Sequence, residues 1–237
     1  MVCKIADIVV EFLNVPPEAE SRFAPFKTEG QPQISLAITE EDIDYETQHV
    51  NGNCTRLNSI LVAYLRKLVD CFVNFDILLL HASLIDVGGV GIAFLAPSGT
   101  GKTTHTLLWK KLLGEKVTVI NGDKPFVRFL ENQEFPIGYG TPWNGKEMLG
   151  NTSKVTIKHL CFIERAETNS CEKIDAKCIT QLLFKQLHIP KNSAQSISKG
   201  LKFTNKFLSS VTVWKIKCNM DIEAAQVAYK TILGEFL

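Results

Sequence analysis

The sequence predicts an α/β fold with an α+β tendency, a mixed parallel/antiparallel sheet closed around one loop of small residues. Three observations carry this. Short apolar runs bounded by turn residues recur along the chain and read as strands. Two pairs of these runs are joined by short turn segments, Asp86-Val87-Gly88-Gly89-Val90 and Glu131-Asn132-Gln133-Glu134, so antiparallel hairpins are expected. Strand-to-helix units sit among the hairpins, which adds parallel pairs and excludes the plain alternation of a doubly wound sheet.

The elements follow in order. Val2 to Leu13 reads as one strand, broken by Pro16 and Pro17. Glu18 to Pro32 is polar and proline-containing and reads as loop or edge structure; Ile34 to Ile38 is a short strand; Glu40 to Asn53 is acidic and polar. Leu57, Ile60, Leu61, Tyr64, Leu65 and Leu68 have the spacing of an amphipathic helix running to Phe75. Ile77 to Ile85 is a buried strand, forming a hairpin with Gly91 to Leu95. A helix from Lys102 to Leu113 stops near Gly114. Val117 to Ile120 is a strand ending at Asn121-Gly122-Asp123, and Phe126 to Leu130 pairs with Phe135 to Tyr139. Val155 to Ile163 and Val211 to Cys218 are strands; Asp175 to His188, Ser193 to Leu208 and Ile222 to Leu237 are helices.

Lys and Arg number 26 against 25 acids, for a net charge of +1. That balance gives no footprint for nucleic acid or membrane, so any anion site is local. Seven cysteines, odd in number and without C-x-x-C, sit largely in apolar runs, as reduced thiols of a cytoplasmic protein do. They lack zinc spacing. The N-terminus has no signal-peptide pattern, and no run approaches the roughly 18 apolar residues of a membrane span.

The loop itself is Ala96-Pro97-Ser98-Gly99-Thr100-Gly101-Lys102-Thr103. It follows a strand and opens a helix, and matches the second half of the G-x-x-x-x-G-K-[ST] P-loop (Walker A) pattern, with Ala96 in place of the first glycine. Small residues let backbone N–H groups of Ser98, Gly99, Thr100 and Gly101 approach phosphate oxygens, and the helix N-terminus adds its positive dipole end. Lys102 reaches the β- and γ-phosphates, the Thr103 hydroxyl ligates Mg²⁺, and Thr104 continues the first turn. His105 reads as a packing or surface residue.

Moving a phosphate needs a further acid. Asp123 ends a strand expected beside the P-loop strand, which brings its carboxylate near the loop as metal-side acid or base. The run Gly138 to Glu147 holds two glycines, Pro142, Trp143 and Lys146; it reads either as a second phosphate cation with an aromatic wall or as a glycine-rich loop with its tryptophan in the core. Asp86 reads as a turn residue. Lys191, Lys199, Lys202 and Lys206 read as a solvated face or an acceptor-docking face.

Leu80-His81-Ala82-Ser83-Leu84-Ile85, the glycine hairpin, the P-loop and Asn121-Gly122-Asp123 together resemble the catalytic domain of HPr kinase/phosphorylase, and more broadly the P-loop fold shared with phosphoenolpyruvate carboxykinase. The resemblance covers roughly Leu78 to Trp143. It implies that residues 1–237 form a single kinase-like domain, with 1–76 an N-terminal extension and 77–237 the catalytic core. It makes Asp123 the base toward an acceptor hydroxyl or a metal-side carboxylate, and His81 a histidine near the transferred phosphate. On its own, His81 in an apolar strand reads as a core residue. Family members carry two adjacent acids where this chain has Gly122-Asp123. The Pro142-to-Lys146 box resembles divergent bacterial HPr-kinase-like proteins, some of which phosphorylate peptide precursors. The family often forms homo-oligomers, though no interface is legible here. Carboxykinases bind a dianion through arginines; of the five here, Arg128 alone is expected near the site, where it and Lys146 are candidates for neutralising charge.

The expected function is therefore a kinase using ATP and Mg²⁺, with a hydroxyl acceptor on a small protein, a peptide or a small molecule. The alternatives are a non-catalytic nucleotide-binding switch module and a simple NTPase.

Overall fold

A computed structural model describes residues 1–49, 55–190 and 193–234. The chain runs β1 (Val2–Ile5), β2 (Ile8–Phe12), α1 (Pro17–Phe23), β3 (Ile34–Leu36), α2 (Glu40–His49), α3 (Arg56–Phe72), β4 (Ile77–Leu80), β5 (Ser83–Val87) and β6 (Val90–Leu95). It continues with α4 (Lys102–Leu113), β7 (Val117–Asn121), β8 (Phe126–Arg128), β9 (Ile137–Tyr139), β10 (Lys154–Arg165), β11 (Ser170–Lys173), α5 (Thr180–Gln186), β12 (Leu187–His188), α6 (Ala194–Ser210), β13 (Thr212–Cys218) and α7 (Ile222–Leu233).

The expected strand Val2 to Leu13 is a hairpin. Ala6 and Asp7 both take positive φ, 51° and 64°, the backbone of a two-residue hairpin turn, although neither is glycine. Asp7 is anchored there, because its carboxylate accepts from the Tyr139 hydroxyl at 2.7 Å and from Lys154 at 2.8 Å. The segment expected as loop holds α1, which Pro17 opens at a position where its missing N–H costs nothing. The acidic stretch after Glu40 is α2, tied to α3 by Arg66 and Lys67 on Asp42 and Glu46. The end of that stretch, Lys191 and the last three residues of the expected closing helix lie outside the described residues.

The main sheet runs in the order β12-β4-β8-β9-β10-β6-β5-β7, with β13 added on β10 and β11 on β13. β6 and β13 lie parallel to β10, and the other pairs are antiparallel, so the sheet is mixed as expected. Alternation along β6 explains its layers. Ile92 and Phe94 pack with Trp109 of α4 and Tyr229 of α7, while Ala93 and Leu95 pack with Leu183 of α5 and Phe207 of α6. A strand covered on both faces must be apolar throughout, and this one is buried from Gly91 to Leu95. A third cluster joins the N-terminal sheet to the main one: Phe23 and Tyr64 pack with Phe126 and Trp143.

The expected strand Ile77 to Ile85 breaks at His81-Ala82. β4 pairs with β8 and β12, whereas β5 pairs with β6 and β7. β7 therefore lies beside β5, one strand away from β6, and not next to the P-loop strand as expected. The hairpin β5–β6 fills the neighbouring position first, because a tight turn brings its strands together at low entropic cost.

Candidate active site

The P-loop leaves β6 at Ala96 and enters α4 at Lys102, with Gly99 at φ 74° and Gly101 at φ 122°. No side chain caps the N-terminus of α4, so its first amides face the loop. Ser98 and Gly99 are exposed, and Thr100, Thr103 and Thr104 are half-buried. Lys102 folds back on the loop and donates to the Ala96 carbonyl at 2.9 Å. Burial lowers its pKa; Asp123 acts to raise it and Lys124 to lower it further. Those two influences show that the loop lysine and the Asn121-to-Lys124 turn share one electrostatic neighbourhood.

That turn is held from several sides. The Asn121 side-chain oxygen accepts from the N–H of Asp123 at 2.9 Å and of Lys124 at 2.7 Å, a local turn that fixes the carboxylate's backbone. The Asn121 amide donates to the Thr141 hydroxyl at 2.9 Å, and that hydroxyl donates to the Lys124 carbonyl. Ser83 donates to the Gly122 carbonyl at 2.7 Å, and the Ala82 N–H to the Asp123 carbonyl at 3.0 Å. Gly122 is wedged: a Cβ there would sit 3.0 Å from the Asn144 carbonyl and 3.1 Å from that of Leu149.

The carboxylate lies between the His81 imidazole and the Lys124 ammonium. His81 Nε2 is 3.3 Å from Asp123 Oδ1, and Lys124 Nζ is 3.4 Å from Oδ2. Burial alone would raise the Asp123 pKa, but the His81 hydrogen bond and the Lys124 charge outweigh it and hold the pKa at about 2. Asp123 is therefore ionised at neutral pH. His81 is positioned by its own N–H, which donates to the Gln186 carbonyl at 2.8 Å.

The structure thus brings together Lys102, His81 and Asp123 from the expected set. Lys124, next to the acid and easily passed over as a turn residue, joins them. Arg128 does not. It pairs in register with Ile77 at the far end of β8 and donates to the Ala6 carbonyl, so it anchors the N-terminal hairpin and is not near the loop. Trp143 is core, its indole N–H on the Leu61 carbonyl at 2.7 Å. The loop it belongs to still reaches the site: a Cβ at Gly145 would lie 3.3 Å from that of Asp123, and Lys146 follows, exposed. Asp86 accepts from the Gly89 N–H, as a turn residue does. Lys199 is used on the Val73 carbonyl and Asp76, and Lys206 lies over the Phe129 ring.

Arg165, at the end of β10, is a second residue that sequence reasoning missed. It donates to the Gly99 and Thr100 carbonyls and closes the loop from outside. A cavity of about 470 Å³ lies there, lined by Gly99, Thr104, Arg165, Asn219 and Met220, with the buried His105 ring on its wall. His105 accepts the Trp109 indole N–H at 3.0 Å, and burial lowers its pKa to about 4, so it is a neutral packing residue. Among the described residues no three His, Cys, Asp or Glu side chains cluster as a metal site, and no helix is long and apolar enough to cross a membrane.

No family model matches the chain. No curated protein matches it either. Among solved structures it is similar to the HPr(Ser) kinase/phosphatase from Coxiella burnetii, at 8% identity and a TM-score of 0.38, over 66% of this chain and 93% of that one. A likeness of that size carries no argument about the site, which stands on its own geometry.

Proposed function

We propose that this chain is an ATP-dependent phosphotransferase that delivers the γ-phosphate to a hydroxyl acceptor, on a serine of a small protein or peptide or on a small-molecule alcohol. One observation carries the reading: a half-buried, ionised carboxylate, Asp123, held by His81 and Lys124 within electrostatic reach of the loop lysine. ATP phosphates would lie on the amides of Ser98 to Thr104, taking the place of the Ala96 carbonyl as partner of Lys102. The cavity beside Arg165 is open to the nucleoside.

The Thr103 hydroxyl and the Asp123 carboxylate are hard oxygen donors of the kind Mg²⁺ takes, the ion drawing its remaining ligands from phosphate and water. When bound, it would neutralise charge on the transferred group. The acceptor hydroxyl would donate to Asp123. As its oxygen bonds to the γ-phosphorus, the bond from that phosphorus to the β–γ bridging oxygen breaks and ADP leaves. The hydroxyl proton passes to Asp123 and then to solvent. A carboxylate of low basicity suffices, because a loose transition state makes its demand for the proton late. Lys124 and the exposed Lys146 are the further cations available to the phosphoryl oxygens.

Label transfer from γ-labelled ATP tests this. Asp123→Asn is expected to lower transfer by about 10²–10⁴-fold while ATP affinity stays within a few-fold. Equal transfer by that variant would remove Asp123 from the reaction. ATP binding with no product under any acceptor would point to a switch module, and fast acceptor-free hydrolysis to an NTPase.

A further inference from the structure

We infer that a second cavity, lined by Lys124 next to Asp123, receives the acceptor, and that this acceptor is a small alcohol whose hydroxyl is carried on an apolar body. The inference rests on the phosphotransferase reading and narrows it.

The cavity holds about 750 Å³ and lies between α3, α5, the β4–β12 strand pair and the start of α6. It shares no lining residue with the cavity beside the P-loop, so donor and acceptor would enter from different sides. Its volume falls within the roughly 300–1,000 Å³ of small-molecule sites, and walls from several elements suit the body of a ligand better than a flat protein face.

Its connection to the chemistry is direct. Lys124 lines it, and the Lys124 ammonium is 3.4 Å from Asp123 Oδ2. His188 of β12 lines it as well. Desolvation lowers the His188 pKa first, the charges of Lys124 and His81 add to this, and Asp123 opposes them, so all four groups lie in one field. The His81 N–H is bonded to Gln186, the residue before β12. A hydroxyl at the Lys124 end of the cavity would therefore meet the ammonium that contacts the carboxylate.

The chemistry of the walls sets the class. Val62, Val69, Phe184 and Ile197 are apolar, and Ile197 is 38% exposed. Of the charged groups, Arg66 is engaged by Asp42 and Glu46, and Lys124 by Asp123. Lys185 and Asp70 remain, opposite in sign, and give no net preference for an anion or a cation. Selection falls to apolar contact.

The test uses γ-labelled ATP and Mg²⁺ with ethanol, butan-1-ol and 3-phenylpropan-1-ol, beside a serine peptide flanked by glycines. In the full chain kcat/KM is expected to rise about fourfold per added methylene, because each buried CH₂ gains that factor. Ile197→Trp fills the cavity from its mouth and is expected to cost 3-phenylpropan-1-ol tenfold or more; thermal unfolding checks that the variant is folded, and Val69→Trp repeats the test from α3. Equal rates along the series, a gain untouched by both tryptophans, or transfer to the peptide with the alcohols inert would each overturn the inference. Asp123-dependent hydrolysis with the alcohols and the peptide all inert would overturn it together with the phosphotransferase reading and point to an NTPase, whereas Asp123-dependent transfer to the peptide alone would leave that reading standing. No Asp123-dependent product of any kind would sink both.

Discussion

The two loops that meet at the site are built in opposite ways. The P-loop is exposed from Pro97 to Gly99, and there is open space where a Cβ would project from Gly99 or Gly101. Its carbonyls are held by the ends of two long side chains, Lys102 and Arg165. The Asn121-to-Lys124 turn is held by short side chains, Asn121, Ser83 and Thr141, all of them buried. Long side chains release a loop more cheaply than short, fully buried ones, and Arg165 is itself exposed. The Ala96-to-Lys102 loop is thus the adaptable side, and the turn that carries Asp123 is set beforehand.

The sharpest way to break this contrast is a methyl group. A Cβ at Gly140, just before Thr141, would fall 1.7 Å from the Asn151 carbonyl, and backbone must move to admit it. Gly140→Ala is expected to lower the unfolding free energy by about 3 kcal/mol or more in urea titration. Gly99→Ala meets nothing and is expected to cost only the roughly 1 kcal/mol of its positive φ. Similar losses in the two variants would end the distinction.

Acid probes the same turn more gently. The Asp123 pKa, about 2, lies below its ordinary 3.8, so its stabilising contribution is fully present above pH 3.8. It is lost as pH falls toward 2, an amount of roughly 2 kcal/mol. Urea midpoints taken from pH 5 to pH 2 should fall more steeply for the wild type than for Asp123→Asn. Parallel curves would mean that His81 and Lys124 do not hold the carboxylate as described.

The smallest effect belongs to Arg165→Ala. Global stability should change by less than about 0.5 kcal/mol, the usual size for an exposed side chain. Amide exchange at Gly99 to Gly101 should nevertheless speed up by about tenfold, because local opening loses its tether. Unchanged exchange would show that the loop is closed by something else.

Much of this was legible where a rule of local geometry applies. The glycine-containing loop between β6 and α4, that helix, the β5–β6 and β8–β9 hairpins and the strand that ends just before Asp123 all follow from small residues, turn chemistry and apolar runs. Local signals failed where distant groups decide. Ala6-Asp7 turns without glycine because Tyr139 and Lys154 hold the aspartate. β4 and β5 look like one apolar run, yet they separate at His81 because their partners differ. Arg128 is close to the acid in sequence, but a strand carries it away; Arg165 is 63 residues beyond Lys102 in number and is brought back by the parallel pairing of β10 with β6.

The strand β5, lying between β6 and β7, also acts as a spacer. Neighbouring strands are about 4.8 Å apart, so the strand that launches the P-loop and the strand that ends at the acid are separated by roughly 10 Å. The fold builds that gap from backbone, and its width does not depend on any rotamer. On the phosphotransferase reading proposed above, that gap would hold a phosphoryl group and an attacking oxygen together, and a deletion that paired β7 directly with β6 would close it.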